Sequence, residues 1–405
     1  MSEADIVSTA QARIERYRKS DAVVHVVNGA GTPVAGARVK IEQVRHAFLF
    51  GCNAFPVLGY DDPKLEQTYE DEFAALFNYA TLGFYWGAYE REPGKTQEKR
   101  LRRQAEWCKT HGITTKGHPL VWHEVYPSWG PSDVGETKEK LRARVSDIVS
   151  GFKGLVDRWD VVNEATVSAE HDNGVGHWAK QEGALPMVVE ALGWARAANP
   201  DAALLYNDFK LDEEYEKLAA ELANPSRKLV DAFGIQSHMH REEWPISKVW
   251  EACETYSRFG KPLHFTELTV LSGEHGWGLP QPWPSTPEGE AQQAAYVEKL
   301  YTVLFSHPAV QAITWWDFDD GEWQGAPAGL VHKDLTPKPA YQRLLALVKE
   351  KWWTRLEAES DADGAVRFRG FRGRYRVTVT AATGTATEEM DVTEGAKSGV
   401  TVAVK

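Results

Sequence analysis

The chain has 405 residues, of which 42% are hydrophobic and 26% are charged, and its formal net charge is −12. These values are typical of a globular protein with a sizeable core, and the acidic balance argues against nucleic acid or an anionic membrane as a partner, since both attract basic surfaces. Three scattered cysteines (Cys52, Cys108 and Cys253) are too few for a disulfide framework or a zinc ribbon, and no apolar run reaches the roughly 18 residues of a membrane span.

Residues 1–20 carry Asp, Glu, Arg and Lys side chains and contain no apolar segment of the kind found in secretory signals. Localisation is therefore open at this point. A trimmed chain is expected to be extracellular or periplasmic, and an untrimmed one cytoplasmic. A short amphipathic helix is expected near residues 6–17, followed by a β-hairpin whose strands cover residues 23–27 and 37–41.

Residues 46–352 alternate short β-branched or aromatic runs with longer segments of helical periodicity. Strands are predicted at 47–53, 79–82, 114–117, 159–163, 203–207, 233–237, 263–267 and 312–317. Helices are predicted at 66–77, 98–111, 137–152, 185–198, 212–222, 246–259, 288–305 and 339–352, the seventh beginning with Thr286 as N-cap and Pro287 at its first position. Eight strand–helix pairs predict an α/β fold, a (β/α)8 TIM barrel. The alternative, a doubly wound open sheet, usually carries a glycine-rich phosphate turn that this sequence lacks.

After the barrel, residues 365–369, 374–380 and 400–404 alternate apolar and polar side chains. Because two strands alone cannot bury a face, we predict one small β-sandwich-like module formed by both flanks. The domains would then be 1–45 (helix and hairpin), 46–352 (catalytic barrel) and 353–405 (the remaining strands). Two independent terminal appendages are the alternative.

Barrel enzymes carry their chemistry at the carboxyl ends of the strands, and the predicted strand ends here are unusually polar. Two of them are glutamates on otherwise apolar strands, Glu164 after strand 4 and Glu267 at the end of strand 7. A single buried glutamate is most often part of a structural ion pair. Two of them at the same barrel mouth indicate a carboxylate pair across a cleft, which is what glycoside hydrolysis requires.

Six motifs in chain order then resemble family-10 glycoside hydrolases, the endo-β-1,4-xylanases. They are GHPLVWH (117–123), WDVVNEA (159–165), NDF (207–209), QSH (236–238), TEL (266–268), and Trp315 with Trp323. The resemblance covers the whole barrel region and implies a retaining hydrolase of β-1,4-xylosidic bonds in xylan or xylo-oligosaccharides. The expected partner is thus a β-linked oligo- or polysaccharide, with neither a cofactor nor a metal.

The resemblance also assigns roles. Glu164 would be the acid/base and Glu267 the nucleophile, with their carboxyl groups about 5–5.5 Å apart. Asn163 would bind the 2-hydroxyl of the sugar being cleaved, Gln236 the same sugar, and His238 the nucleophile. The remaining substrate-binding residues implied are His118, Trp122, Asn207, Trp315 and Trp323.

The sequence departs from the family pattern in two places. After strand 2, a Glu-Asn pair and a Lys-Trp pair normally bind the next sugar toward the non-reducing end, and Gly83-Phe84 and Gly87-Ala88 stand there. Thr269 stands where the family often has an acid, two residues after the nucleophile. The same chemistry on another β-linked glycan or on a plant glycoside is therefore the alternative substrate prediction.

Two other functional classes compete. A metal-dependent barrel hydrolase would use His238 and His240 with His118, His123 and Asp317, but it leaves both glutamates unexplained. A non-catalytic sugar-binding barrel fits the altered contacts after strand 2, but not the intact acid, nucleophile and neighbouring asparagine.

Overall fold

The computed structural model describes residues 1–239, 242–273, 283–322, 324–395 and 398–405. The strands are β1 (Lys19–Asn28), β2 (Arg38–His46), β3 (Leu49–Asn53), β4 (Tyr79–Gly83), β5 (Glu90–Glu92), β6 (Lys95–Thr96), β7 (Thr114–His118), β8 (Arg158–Asn163), β9 (Ala203–Asp208), β10 (Ala232–Ile235), β11 (His238–Met239), β12 (Leu263–Val270), β13 (Val310–Trp315), β14 (Arg355–Glu359), β15 (Ala365–Phe371), β16 (Gly373–Ala381), β17 (Gly384–Val392) and β18 (Ser398–Val404).

The α-helices are α1 (Glu3–Ser8), α2 (Ala10–Arg18), α3 (Pro63–Leu76), α4 (Trp86–Tyr89), α5 (Glu98–Thr110), α6 (Val134–Gly151), α7 (Gly174–Glu182), α8 (Ala184–Ala198), α9 (Glu213–Leu222), α10 (Ile246–Ser257), α11 (Pro287–Ser306) and α12 (Pro339–Ala346). A 3₁₀ turn at Ser168–Glu170 and a π-helical turn at Leu347–Lys351 complete the helical segments. None of these described helices is long and apolar enough to cross a membrane.

Eight strands form a closed parallel barrel, which confirms the predicted (β/α)8 fold. Their order around the barrel is β10, β9, β8, β7, β4, β3, β13 and β12, and β12 pairs back with β10 to close it. Every predicted barrel strand and every predicted helix has its counterpart. The sequence did not indicate the short helix α4, the β5–β6 hairpin or α7.

Local sequence signals account for the helix boundaries and faces. The Thr286 hydroxyl accepts a hydrogen bond from the amide of Gly289 and Pro287 is the first residue of α11, as predicted. On α6, Leu141, Val145 and Ile148 follow helical spacing and are buried against the barrel.

The two flanks form one β-sandwich. One sheet has the order β15–β1–β18 and the other β14–β2–β16–β17, and a single apolar cluster, which includes Val24, Ile41 and Val377, lies between them. The predicted hairpin is wrong. Both edges of β1 and of β2 are paired with strands from the C-terminal flank, so the two strands lie in different sheets.

The sandwich lies at the amino-terminal ends of the barrel strands. Arg18 donates hydrogen bonds to the carbonyls of Phe305, His307 and Val310, immediately before and at the start of β13. Arg45 donates to the hydroxyl of Thr114 at the start of β7. The carboxyl ends of the strands, where barrel enzymes carry their chemistry, are therefore left open. The domain limits after residues 45 and 352 stay a prediction.

Candidate active site

Glu164 and Glu267 line one cavity of 430 Å³ at the carboxyl ends of the barrel strands. A cavity of this size is within the range of small-ligand sites. Four residues assigned a substrate-binding role from the sequence line it as well: His118, Trp122, Gln236 and His238. The full lining is Tyr85, His118, Trp122, Glu124, Val125, Glu164, Gln236, His238, Glu267, Trp316 and Gln324.

Irregular backbone precedes both glutamates. The pairing of β8 with β9 shifts register between Asp160 and Val162, and that of β12 with β13 shifts between Phe265 and Leu268. Glu164 itself has a φ of +56°, a left-handed conformation that costs of order 1–3 kcal/mol for a residue other than glycine. Shifts of this kind re-aim side chains next to active sites, and strain of this kind concentrates there.

A network of amides joins the two glutamates. The Nδ2 group of Asn207 donates to Oδ1 of Asn163 and to Oε1 of Glu267, both over 2.7 Å. Asn163 in turn donates to Oε1 of Glu164 over 3.0 Å, and Gln236 donates to the same oxygen over 2.6 Å. Asn163 and Asn207 are buried and do not line the cavity, so their visible role is to orient the carboxyl groups. The contact of Asn163 with a sugar hydroxyl stays a prediction.

The surroundings of Glu267 favour its ionised form. Burial by itself would raise the pKa of this carboxyl, but the positive charge of His118 and the hydrogen bond and charge of His238 outweigh it, and the pKa lies below its ordinary value. The Nε2–H of His238 donates to Oε2 over 2.9 Å, and Nε2 of His118 lies 3.7 Å from Oε1. Glu267 is therefore a carboxylate at neutral pH.

Glu164 is shifted in the opposite direction. Burial raises the pKa of Glu164 to about 7, and the charge of Glu267 adds to the increase. Hydrogen bonds from Gln236 and from the indole of Trp122 (3.0 Å) oppose this shift only in part. Nearby His123 supplies no compensating charge, since burial lowers its pKa to about 3. The pKa values of the two carboxyl groups are thus pushed apart, as an acid and a nucleophile require.

A buried ion pair supports His118 from behind. Oδ2 of Asp160 accepts from Nδ1–H of His118 over 2.8 Å and lies 2.5 Å from the ammonium of Lys116. Burial would raise the pKa of Asp160, but Lys116 and His118 together hold it below the ordinary value. This pair was missed from the sequence, although a signal existed. Asp160 interrupts the otherwise apolar run 159–162 of β8, and Lys116 is a charged residue in the middle of β7.

His238 is held on its far side by Thr269. Nδ1 of the ring lies 2.9 Å from the Thr269 hydroxyl while Nε2 bonds to Glu267. Because the carboxylate of Glu267 can only accept, Nε2–H of His238 is the donor in that bond, and the Thr269 hydroxyl is the partner of Nδ1. The acid expected from the family pattern is thus replaced by a hydroxyl that still fixes the orientation of the ring.

Thr269→Val keeps the shape of this fully buried side chain and removes the hydroxyl. A lost hydrogen bond of about 1 kcal/mol predicts a fall in kcat of roughly fivefold, with KM little changed because Thr269 does not line the cavity. Steady-state kinetics check this, and Thr269→Ser should restore the wild-type rate. An unchanged kcat in the valine variant would show that His238 needs no such support.

The structure corrects the assignment of the tryptophan at the end of strand 8. Trp315 is fully buried and its indole donates to the carbonyl of Ala328, so it does not line the cavity. Trp316, the next residue, lines it instead, because consecutive side chains of a strand point to opposite sides. Trp323, the other predicted aromatic, lies outside the described residues.

Four rings that follow β3, β4, β7 and β13 form an aromatic wall, and the last three of them line the cavity: Phe55, Tyr85, Trp122 and Trp316. Tyr85 lies 5.8 Å from Phe55 and 5.6 Å from Trp122, and Phe55 lies 5.6 Å from Trp316, all between ring centroids. Phe55 of the aromatic wall fills the space next to Gly83, and the backbone of Val125 lies against Gly87. A Cβ at Gly83 would lie 3.2 Å from the Phe55 ring, and one at Gly87 would lie 2.6 Å from the carbonyl oxygen of Val125.

Phe84 and Ala88, the residues that follow these two glycines, add no polar side chain to the cavity. Phe84 is buried in the core against Phe152 and Trp159, and Ala88 has no functional group. None of these four positions therefore carries the polar or indole side chain expected after strand 2. Tyr85 was not identified as a candidate, since no motif distinguishes it from the aromatic residues beside it.

Among the residues that the structure describes, the ligands of the competing metal hydrolase are not brought together as one metal-binding group. His238 directs its two ring nitrogens at Glu267 and Thr269, and His118 directs Nδ1 at Asp160. His240 lies outside the described residues. Within the described part of the chain, the group of histidine and acidic side chains with metal-ligand spacing is a different one, His123 with Glu124 and His171.

Comparisons with known proteins point to one family. The sequence pattern described as Glycosyl hydrolase family 10 matches residues 53–347. The anti-sigma-I factor RsgI6 of Acetivibrio thermocellus is 27% identical over 92% of this chain and 46% of its own length. Endo-1,4-beta-xylanase B of Thermotoga neapolitana is 28% identical over 68% of this chain and 82% of its own, and endo-1,4-beta-xylanase 1 of Arabidopsis thaliana is 25% identical over 90% and 37%. The chain thus spans less than half the length of two of these three relatives.

Solved structures show the same fold. A GH10 structure from Paenibacillus barcinonensis superposes with a TM-score of 0.63 at 23% identity, covering 75% of this chain and 96% of that one. Native xylanase 10B from Thermotoga maritima gives a TM-score of 0.62 at 24% identity, with the same coverage. Since the family pattern spans most of the chain, including the whole cavity with its two glutamates, the chain belongs to glycosyl hydrolase family 10.

Proposed function

We propose that this protein is a retaining glycoside hydrolase that cleaves β-1,4-xylosidic bonds in xylan or xylo-oligosaccharides by double displacement. The observation that carries the proposal is the pair of glutamates on one cavity whose pKa values are shifted in opposite directions. Several relatives bear the name endo-1,4-beta-xylanase, which supports xylan as the substrate. A purely sugar-binding barrel would have no need of this opposed pair.

In the first step the Glu267 carboxylate attacks the anomeric carbon, and the bond to the leaving oxygen breaks. Glu164 gives its proton to that oxygen, so the leaving sugar departs as a neutral alcohol. His238 and Asn207 each donate to the attacking carboxylate and hold it in position. The product of this step is a covalent glycosyl-enzyme ester at Glu267.

In the second step Glu164, now a carboxylate, takes a proton from water, and the hydroxide attacks the same anomeric carbon. The ester bond breaks and Glu267 is released as a carboxylate. Two inversions give net retention, so the newly formed reducing end is the β-anomer. The predicted carboxyl separation of about 5–5.5 Å belongs to this mechanism, whereas a wider gap would leave room for the water of an inverting one.

The test is proton NMR of xylan and xylo-oligosaccharides during hydrolysis, with mixed-linkage β-glucan and aryl β-glucosides beside them. We expect the β-anomeric signal to appear first and the α-anomer to grow in later by mutarotation. An α-anomer formed first would overturn retention. Hydrolysis of the glucosides with no hydrolysis of the xylosides would move the proposal to another β-linked glycan.

The missing polar contacts near Gly83 and Gly87 predict weak use of a second sugar on the glycone side. A hydrogen bond to a charged group is worth about 1.5–3 kcal/mol, or roughly 10- to 150-fold in rate, and ring stacking on Tyr85 replaces only part of it. We expect kcat/KM for an aryl β-xylobioside to exceed that for the aryl β-xyloside by no more than about tenfold.

Tyr85→Ala should reduce this preference further, whereas Tyr85→Phe, which keeps the ring, should preserve it. Initial rates on the two aryl substrates measure the ratio for each variant. A preference near a thousandfold in the wild type would reveal a strong second subsite and contradict this prediction.

A further inference from the structure

Three metal-binding side chains that the proposed reaction does not use lie together at the cavity. His123 and Glu124 follow β7, and His171 follows the 3₁₀ turn Ser168–Glu170. One ligand atom of each lies within 4.8 Å of the others. His123 is buried, His171 is half-buried and Glu124 is exposed on the cavity lining, so the group can be reached from solvent.

The hydrogen bonds around His123 define its tautomer. The Ser168 hydroxyl donates to the carbonyl of Glu164 over 3.0 Å, so its oxygen accepts from Nδ1–H of His123, also over 3.0 Å. Nε2 of His123 therefore carries a lone pair, and within the described part of the chain it makes no hydrogen bond. Histidines that bind metals show this arrangement, in which one nitrogen donates to a fixed acceptor and the other is the ligand.

His171 is placed to add a second nitrogen. Its ring lies over that of His123 with centroids 3.7 Å apart and planes inclined by 33°. Two imidazole nitrogens with one carboxylate oxygen form a set that suits Zn²⁺ and other late first-row cations, whereas Ca²⁺ and Mg²⁺ prefer oxygen ligands alone. Three protein ligands leave a coordination position open on a tetrahedral ion.

Glu164 lies next to that open position. Its Oε2 atom is 3.7 Å from Nε2 of His123, and a zinc ion sits about 2.0–2.1 Å from a histidine nitrogen. A cation on His123 would therefore be within reach of this carboxyl group and could bind it as a fourth ligand. A carboxyl held in this way could not approach a glycosidic oxygen.

We propose that His123, Glu124 and His171 form a binding site for a divalent cation of the zinc type at the rim of the cavity, and that an ion bound there inhibits the enzyme by engaging Glu164. The binding part stands on the geometry of the three side chains alone. The inhibition part rests on the proposed function.

Binding is tested on the full chain, freed of metal by a chelator, by competing Zn²⁺ against a chromophoric chelator and by the visible absorption of added Co²⁺. We expect one equivalent of Zn²⁺ to bind, and Ca²⁺ and Mg²⁺ not to compete. Loss of a residue that only supports a metal ligand lowers metal affinity by about 10- to 100-fold, and loss of a ligand itself should cost at least as much. His171→Ala and Glu124→Gln should therefore both bind Zn²⁺ much more weakly than the wild type.

His177→Ala is the matched control. His177 lies six residues after His171 and is paired with Asp172 and the carbonyl of Ser132. Its loss should leave the Zn²⁺ affinity unchanged. Thermal unfolding of each variant shows that it is folded. Absence of stoichiometric Zn²⁺ binding by the wild type, or equal affinity in folded His171→Ala, would overturn the site.

Inhibition is measured separately. The rate of aryl xyloside hydrolysis should fall as Zn²⁺ is added, with the same midpoint as Zn²⁺ binding, and should recover when a chelator removes the ion. At the same Zn²⁺ concentration, His171→Ala should keep its rate. Binding without loss of rate would overturn the inhibition and leave the site standing. If the metal-free protein cleaves no β-glycoside, the proposed function fails, and the binding assay still decides the site.

Discussion

Replacing Glu267 by alanine or glutamine is expected to reduce the turnover of xylo-oligosaccharides by at least about 10⁴-fold, the order of loss that follows removal of a covalent nucleophile. The carboxylate is held by Asn207 and His238 and kept ionised by the charges around it, so its removal takes away the positioned nucleophile. Substrate binding should be retained, because the rest of the cavity lining is unchanged.

Adding azide, a small anionic nucleophile, tests the same prediction by the configuration of the product. In Glu267→Ala the space of the missing carboxyl is open to azide, which would attack the anomeric carbon from the same side as the nucleophile. A β-configured aryl xyloside should then give the α-xylosyl azide, with one inversion in place of two. Rates and the configuration of the product are read by NMR.

Glu170→Gln is the control for this experiment. Glu170 is an exposed glutamate six residues after Glu164, and its variant should hydrolyse xylo-oligosaccharides at the wild-type rate. Substantial activity in Glu267→Ala without azide, or a β-azide product with it, would show that Glu267 is not the nucleophile.

Much of this site could be predicted because barrel enzymes concentrate chemistry at one end of their strands. Once the eight strands were found from periodicity, Glu164 and Glu267 had to lie at the same mouth, and the structure places both on one cavity. Their different pKa values could not be predicted from the residue type. They depend on the burial of Glu164 and on the contacts of Glu267 with His118 and His238, which come from distant parts of the chain.

The errors have physical reasons too. At the end of β13 two tryptophans follow each other. A sequence does not reveal on which residue a strand stops, and therefore does not distinguish which of Trp315 and Trp316 faces the cavity. The two N-terminal strands have the alternating pattern of a hairpin, yet each pairs with strands more than 300 residues later. Local patterns define a strand but do not identify its partner.

Glu164 should show the second largest effect, and its signature is a dependence on the leaving group. Glu164→Gln removes the proton donor, and general acid catalysis contributes about 10²- to 10⁴-fold. We expect a loss in this range on xylo-oligosaccharides, whose leaving alcohols need the proton. On aryl xylosides with acidic phenols, which leave without one, the first step should be affected much less.

The pH profile gives the same assignment independently. Wild-type kcat/KM, measured in metal-free buffer, requires protonated Glu164 and ionised Glu267. Activity should therefore fall as the pH rises through about 7, where Glu164 loses its proton, and on the acid side only below the ordinary range of a glutamate, where Glu267 gains one. The alkaline limb should disappear in Glu164→Gln while the acid limb remains.

Azide distinguishes the two glutamates by stereochemistry. In Glu164→Ala the glycosyl-enzyme should form from an activated aryl xyloside and persist, because no base activates water. Azide needs no base, so it should release the sugar as the β-xylosyl azide, the opposite configuration to that expected with Glu267→Ala. If both variants gave the same anomer, or if the alkaline limb survived without Glu164, the division of roles between the two residues would be wrong.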